Sequence, residues 1–247
     1  MLASCGCRPA QRAGHRVLAP DLLSLGRDFT PYTSVILENW TDQVATLVRT
    51  VGEPVVLVGH SRAGVIISEV AERVPDRIAV LGYVTAFLLE NGQTLQEIAT
   101  QDNQSLVPPA MVVADDHLSA TIREDAAREA FYGQCSEEDV VLALSLMRPE
   151  PLAPIATPVR TTSARFGCVP RVFVECTLDR AITLPMQRRM QAALPCRNRI
   201  TMQSEHSPFL SHAAELTDAL LQLSLRLELL GLRRSLAPWP SARTSGV

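Results

Sequence analysis

The chain has 247 residues, 47% of them hydrophobic and 20% charged, with a formal net charge of −3. The length suits one α/β domain, alone or with an inserted cap, and the balance is an ordinary globular one, able to bury a sizeable core. The sequence has no long basic run that would favour nucleic acid, and no apolar run approaches the roughly 18 residues needed to span a membrane. Six cysteines (Cys5, Cys7, Cys135, Cys168, Cys176 and Cys196) are scattered without a C-x-x-C pair, which reads as reduced thiols in a cytoplasmic protein.

Residues 1–12 carry no clear period. His15 to Leu22 predicts a short strand closed by Pro20, and residues 23–31, with Gly26 and Asp28, read as a loop. Val35, Ile36, Trp40, Val44, Leu47 and Val51 recur at helical spacing, so the pattern predicts a helix over 33–51 that stops at Gly52. Val55 to Val58 is a run of β-branched and aliphatic residues between Pro54 and Gly59, the mark of a buried strand. Gly59-His60-Ser61-Arg62-Ala63-Gly64 turns the chain. Beyond it, Ala63, Ile66, Ile67, Val70, Ala71 and Val74 lie on one helix face that ends at Pro75.

The order is therefore strand, tight small-residue turn, helix, with a serine at the apex. Such a turn lifts a hydroxyl clear of the backbone and aims helix N–H groups at the place where an oxyanion would form. The pattern departs from G-x-S-x-G at Ala63, which is still small. The plainer reading is a tight turn with no chemistry.

Ile78 to Val84 predicts a further strand. With those opening at Val17 and Val55 it implies a parallel sheet covered by helices. Residues 86–160 behave differently, with Asn91-Gly92, Pro108-Pro109, helical patterns over 122–131 and 136–147, and prolines at 149, 151, 154 and 158. This segment reads as a helical cap inserted between two sheet strands. Its Phe87, Leu88, Met111, Phe131, Leu144 and Met147 would wall an apolar pocket or simply pack the cap. The sheet pattern returns at Arg171 to Cys176, followed by a helix over 183–193, a strand over 200–203 and a terminal amphipathic helix from Leu216 to Leu230. A single domain over 1–232 with a disordered tail over 233–247 is expected.

A serine nucleophile needs a base and an acid to orient that base. His206 follows the last predicted strand, where the base is expected, and His212 is its rival. His15 precedes the serine, His60 points away from it, and His117 lies in the cap. Asp179, just beyond the strand RVFVEC, is the favoured acid, although a loop carboxylate paired with Arg180 is the simpler role. Glu175 lies inside that strand, and Glu138 and Asp139 lie on a cap helix.

VLVGHSRAGVIISEVAERVPDRI, AFYGQCSEEDVVLALSLMRPEPLAP, VECTLDRAI and SEHSPFLSHAAEL together resemble the α/β-hydrolase superfamily. The likeness is to small bacterial carboxylesterases, pyrethroid-hydrolysing ones among them, related to plant hydroxynitrile lyases and methylesterases, and it spans about Gly14 to Leu223. It implies a mostly parallel sheet with helices on both faces, Ser61 as nucleophile, Asp179 as acid, His206 as base, and the Arg62 backbone N–H as an oxyanion donor. It implies a small-molecule ester substrate and no metal or organic cofactor. It admits a homodimer. Lyase-type members carry a lysine shortly after the histidine, where this chain reads His206-Ser207-Pro208-Phe209, so ester hydrolysis is favoured over cyanohydrin cleavage. Members also begin with a hydrophobic strand and an H-G oxyanion loop ahead of a segment like GHRVLAPDL, with which this chain almost starts. The expectation is an amino-terminally truncated form, its alternative function being a catalytically impaired binding protein.

Overall fold

The structure, a computed structural model, describes Gln11 and residues 14–229, with side chains as far as Gln222. The expectations for an amino-terminal strand and loop, for Cys5 and Cys7, and for the tail lie outside the described residues.

Helix α1 (Leu37–Thr50) opens where the Asn39 side chain accepts the Ile36 N–H, at 3.0 Å. It therefore starts later than predicted, and Tyr32–Ser34 forms only a 3₁₀ turn. β1 (Val55–Ser61), α2 (Ala63–Arg73) and β2 (Ile78–Ala86) follow as expected. After a long excursion come β6 (Arg171–Cys176), a helix over Leu184–Ala193, β7 (Asn198–Met202) and a terminal helix over Ala213–Leu229. The main sheet runs β1-β2-β6-β7, every pair parallel.

Successive residues of a strand point to opposite faces, and β2 divides its apolar residues accordingly. Leu81 and Tyr83 join Trp40, Ile66, Ile67, Val70 and Phe173 in the large core beneath α1 and α2. Val84 packs on the other face with Val174, Met202 and Leu216 of the terminal helix. Each such buried side chain contributes about 1.5–3 kcal/mol. Helices thus cover both faces, and the carboxyl ends of all four strands emerge on one side.

The predicted strand over His15–Leu22 does not form. Residues 15–22 have no regular structure, and Leu18 is 43% exposed. A strand exists only beside a neighbour that takes its N–H and C=O groups, and among the described residues β1 is flanked by β2 alone.

The cap is mixed rather than helical. Helix α3 (Leu95–Thr100) carries a reciprocal Thr94–Glu97 capping box. An antiparallel sheet of β3 (Met111–Val113), β4 (Ser119–Ile122) and β5 (Glu150–Pro151) stands beside α4 (Glu124–Phe131) and α5 (Glu137–Ser145). The helices after β6 and β7 are α6 (Leu184–Ala193) and α7 (Ala213–Leu229). Arg148 donates to the Gly26 carbonyl at 2.7 Å, Tyr32 donates to the Pro149 carbonyl at 3.0 Å, and Arg62 pairs with Glu150, so the cap is tied to the body at several points.

Candidate active site

The turn after β1 is sterically determined. Ser61 has φ +55°, a left-handed backbone that a side-chain-bearing residue adopts only when its surroundings impose it. A Cβ on Gly59 would lie 2.8 Å from the Ala63 carbonyl oxygen, and one on Gly64 would lie 2.2 Å from that of Phe87. The indispensable glycine on the helix side is therefore Gly64, and Ala63 fits without cost to the turn. The Ser61 carbonyl accepts the Phe87 N–H at 3.0 Å, which ties the turn to the end of β2. The Arg62 guanidinium lies 5.3 Å from the Trp40 ring, and burial pushes its pKa down to about 10. The Arg62 N–H has no acceptor among the described residues.

Asp179, 5% exposed, sits in the loop beyond β6. Its Oδ1 accepts the N–H groups of Ala181 at 2.6 Å and Ile182 at 2.9 Å. Its Oδ2 accepts His206 Nδ1–H at 2.7 Å and the Thr85 hydroxyl. Gln187 of α6 braces this loop through Cys176 N–H, the Cys176 carbonyl and the Ile182 carbonyl. Arg180 pairs with Glu129 instead of Asp179, which removes the plainer role for that carboxylate.

His206, 3% exposed, follows β7. Its main-chain oxygen accepts His60 Nε2–H at 2.7 Å, and the two rings lie 4.6 Å apart. Burial, reinforced by repulsion from His206, lowers the His60 pKa to about 3, so the ring is neutral and its Nε2–H is a donor. Phe131 of α4 contributes a ring 5.3 Å from that of His206.

The fold thus brings Asp179 and His206 into direct contact and places Ser61 next to His60, which props the His206 main chain. No hydrogen bond joins Ser61 Oγ to His206 among the described residues; such links are often long without substrate and tighten when it binds. The other candidates stand elsewhere. His212 bonds to Ser211, and His117 lies on a cavity of about 300 Å³ with Tyr32, Ile36 and Leu152 that contains none of the three candidate residues. Glu175 is buried against Arg188, Gln191 and Thr201. Of the proposed pocket residues, Phe87 and Leu88 belong to the main core, Met111 is exposed on β3, and Leu144 and Met147 pack with Tyr132 and Val140 in the cap; Phe131, in that same cluster, also brings its ring against His206. Sequence reasoning missed His60 as a prop and Thr85 as a partner of Asp179. Thr85 stands one residue past the predicted strand, and its hydroxyl carries no pattern that periodicity could reveal.

The model of the Alpha/beta hydrolase family matches residues 5–219. The chain is 28% identical over 229 residues to Methylesterase 1 of Arabidopsis thaliana, covering 87% of each chain. It is 29% identical over 218 residues to the pyrethroid hydrolase of Sphingobium wenxiniae, covering 84% of this chain and 77% of the relative. Among solved structures, a pyrethroid hydrolase from Sphingobium faniae superposes with a TM-score of 0.81 at 25% identity, over 90% of this chain and 91% of that one. Tomato methylketone synthase I superposes with a TM-score of 0.82 over 91% of this chain and 93% of that one; at 20% identity it shows the fold alone.

Proposed function

This chain belongs to the alpha/beta hydrolase family, and we propose that it cleaves small to medium carboxylic esters through an acyl-enzyme formed on Ser61. The observation that carries the reading is the buried Asp179 Oδ2–His206 Nδ1 bond of 2.7 Å beside a serine held on a strained strand-to-helix turn. Relatives named as methylesterases and pyrethroid hydrolase support an ester as the substrate.

With Nδ1–H held by Asp179, the lone pair of His206 lies on Nε2. That nitrogen takes the Ser61 proton as Oγ attacks the ester carbonyl. The tetrahedral oxyanion accepts the Arg62 N–H at the amino end of α2, where the helix dipole also favours negative charge. Collapse breaks the C–O bond to the alcohol, which leaves with the proton from His206. Water then repeats the sequence on the acyl-enzyme, giving its proton to His206, and the carboxylic acid departs as Ser61 recovers its hydroxyl hydrogen. The phenyl ring of Phe131 supplies an apolar wall at the imidazole.

A second reading, a protein that holds small esters or acids without cleaving them, is favoured by the open link between Ser61 Oγ and His206. Hydrolysis of a short-chain p-nitrophenyl ester by the wild-type chain and by Ser61→Ala separates the two. Ser61-dependent turnover establishes the esterase, whereas equal rates in folded protein leave the binding reading. A lyase on the same scaffold would instead release cyanide from a cyanohydrin.

A further inference from the structure

We propose that Thr85 is a positioning residue for the acid–base pair: its hydroxyl fixes the direction of Asp179 Oδ2 and takes part of the charge that this oxygen presents to His206. The inference rests on the catalytic reading of Ser61, His206 and Asp179.

Three independent observations converge on this residue. First, the β1–β2 register pairs His60 with Val84 and then Ser61 with Ala86, so Thr85 is the unpaired extra residue of a bulge at the His60–Ser61 step. Bulges re-aim a side chain and recur beside active sites. Second, Thr85 has φ +35°, a conformation that a β-branched residue adopts only under strain. Such strain persists where the surroundings fix it, and here the neighbours are Ser61 on one side and the end of β6 on the other; the β2–β6 ladder stops at Val84–Val174. Third, the side chain is completely buried and its Oγ1 donates to Asp179 Oδ2, the oxygen that also receives His206 Nδ1–H.

With two N–H groups on Oδ1 and two donors on Oδ2, the carboxylate has about all the partners its lone pairs admit. It cannot swing away from the imidazole without losing one of them. The Thr85 bond has an electrostatic effect as well. A donor on the carboxylate stabilises its charge and weakens the pull on the imidazolium. Removing the hydroxyl leaves Oδ2 more strongly bonded to His206 Nδ1–H and favours the protonated ring. Other charged or titratable groups around the pair are His60 from β1, which burial keeps neutral, Arg62 in the elbow, Cys176 at the end of β6, whose thiol burial keeps protonated, and Glu205, whose carboxylate bonds to Ser211. None of these shares an oxygen with the Asp179–His206 bond.

The test compares Thr85→Val, which keeps shape and branching, with Thr85→Ser, which keeps the hydroxyl. Thr85→Ala serves if the valine chain does not fold. Two readouts are taken. The first is the downfield proton resonance of His206 Nδ1–H, assigned by its loss in His206→Ala, which needs no turnover. The second is the pH profile of kcat/KM on a short-chain p-nitrophenyl ester. In Thr85→Val or Thr85→Ala the resonance moves further downfield, the acid limb shifts up by roughly half a pH unit or more, and kcat falls with KM unchanged. Thr85→Ser restores all three. An unmoved resonance and acid limb, or a shift the other way, overturns the inference, as does a serine variant that behaves like valine. If the resonance responds but the wild type shows no Ser61-dependent hydrolysis, the positioning role stands and the esterase reading fails.

Discussion

The two halves of the candidate site are held by opposite means. The Ser61 turn is fixed by what its neighbours lack: Gly59 and Gly64 have no Cβ, and the carbonyls of Ala63 and Phe87 occupy the space one would need. The Asp179–His206 pair is fixed by what its neighbours supply, namely two backbone N–H groups, the Thr85 hydroxyl and the His60 ring. The first half should break when atoms are added and the second when they are removed. Sterics and hydrogen bonding also fail differently. An added methyl group spoils folding, whereas a lost donor spoils alignment and can leave the fold intact.

The sharpest break on the hydrogen-bonded side is Asp179→Asn. An amide cannot support the imidazolium or enforce the Nδ1–H tautomer, and kcat should fall about 10⁴-fold while the circular dichroism spectrum stays native. If hydrolysis dropped less than tenfold, Asp179 would not be the acid. On the steric side, Gly64→Ala should destabilise by about 3–5 kcal/mol or abolish soluble expression, because the obstacle is backbone. Ala63→Gly, one position away, should cost no more than about 1 kcal/mol; urea unfolding of both variants checks the contrast. Gln187→Met should cost about 2–3 kcal/mol, since it strips partners from Cys176 and Ile182 in a buried loop. It should also lower kcat more than it raises KM, because the loop it braces carries Asp179.

The remaining effect depends on pH and concerns His60. Its folded-state pKa of about 3 lies below its ordinary value of 6.5. The unfolded chain therefore takes up a proton that the buried ring refuses. The contribution to stability is complete above pH 6.5 and is lost as pH falls from there towards 3. His60→Gln should remove that component, flattening the stability–pH curve by up to about 1.4 kcal/mol per pH unit. Urea titrations at pH 7.5, 6 and 5 measure it, and parallel curves for the two proteins would show that His60 does not bury uncharged.

The same contrast explains what was legible in the sequence. The turn at Ser61 is local, and its strand, small residues and helix face lie within a score of positions. Asp179 and His206 could be placed because each follows a strand whose apolar run is readable. Their supports could not: Thr85 reaches Asp179 across 94 positions, and His60 reaches the His206 main chain across 146. Alternation could not reveal β3, β4 and β5 either, because they are two to four residues long and too short to establish a period. The strand expected at Val17 failed for the complementary reason. Its residues suit a strand, but no residue property records whether a neighbouring strand stands beside it.

The parallel order β1-β2-β6-β7 has a kinetic consequence. Parallel strands cannot be closed by a hairpin, and the whole cap intervenes between β2 and β6. Every ladder that brings Ser61, Asp179 and His206 towards one another therefore joins distant parts of the chain, which makes assembly slow relative to local helix formation. During refolding from denaturant, helical signal should return first and ester hydrolysis last, so recovered turnover would report completion of the entire sheet.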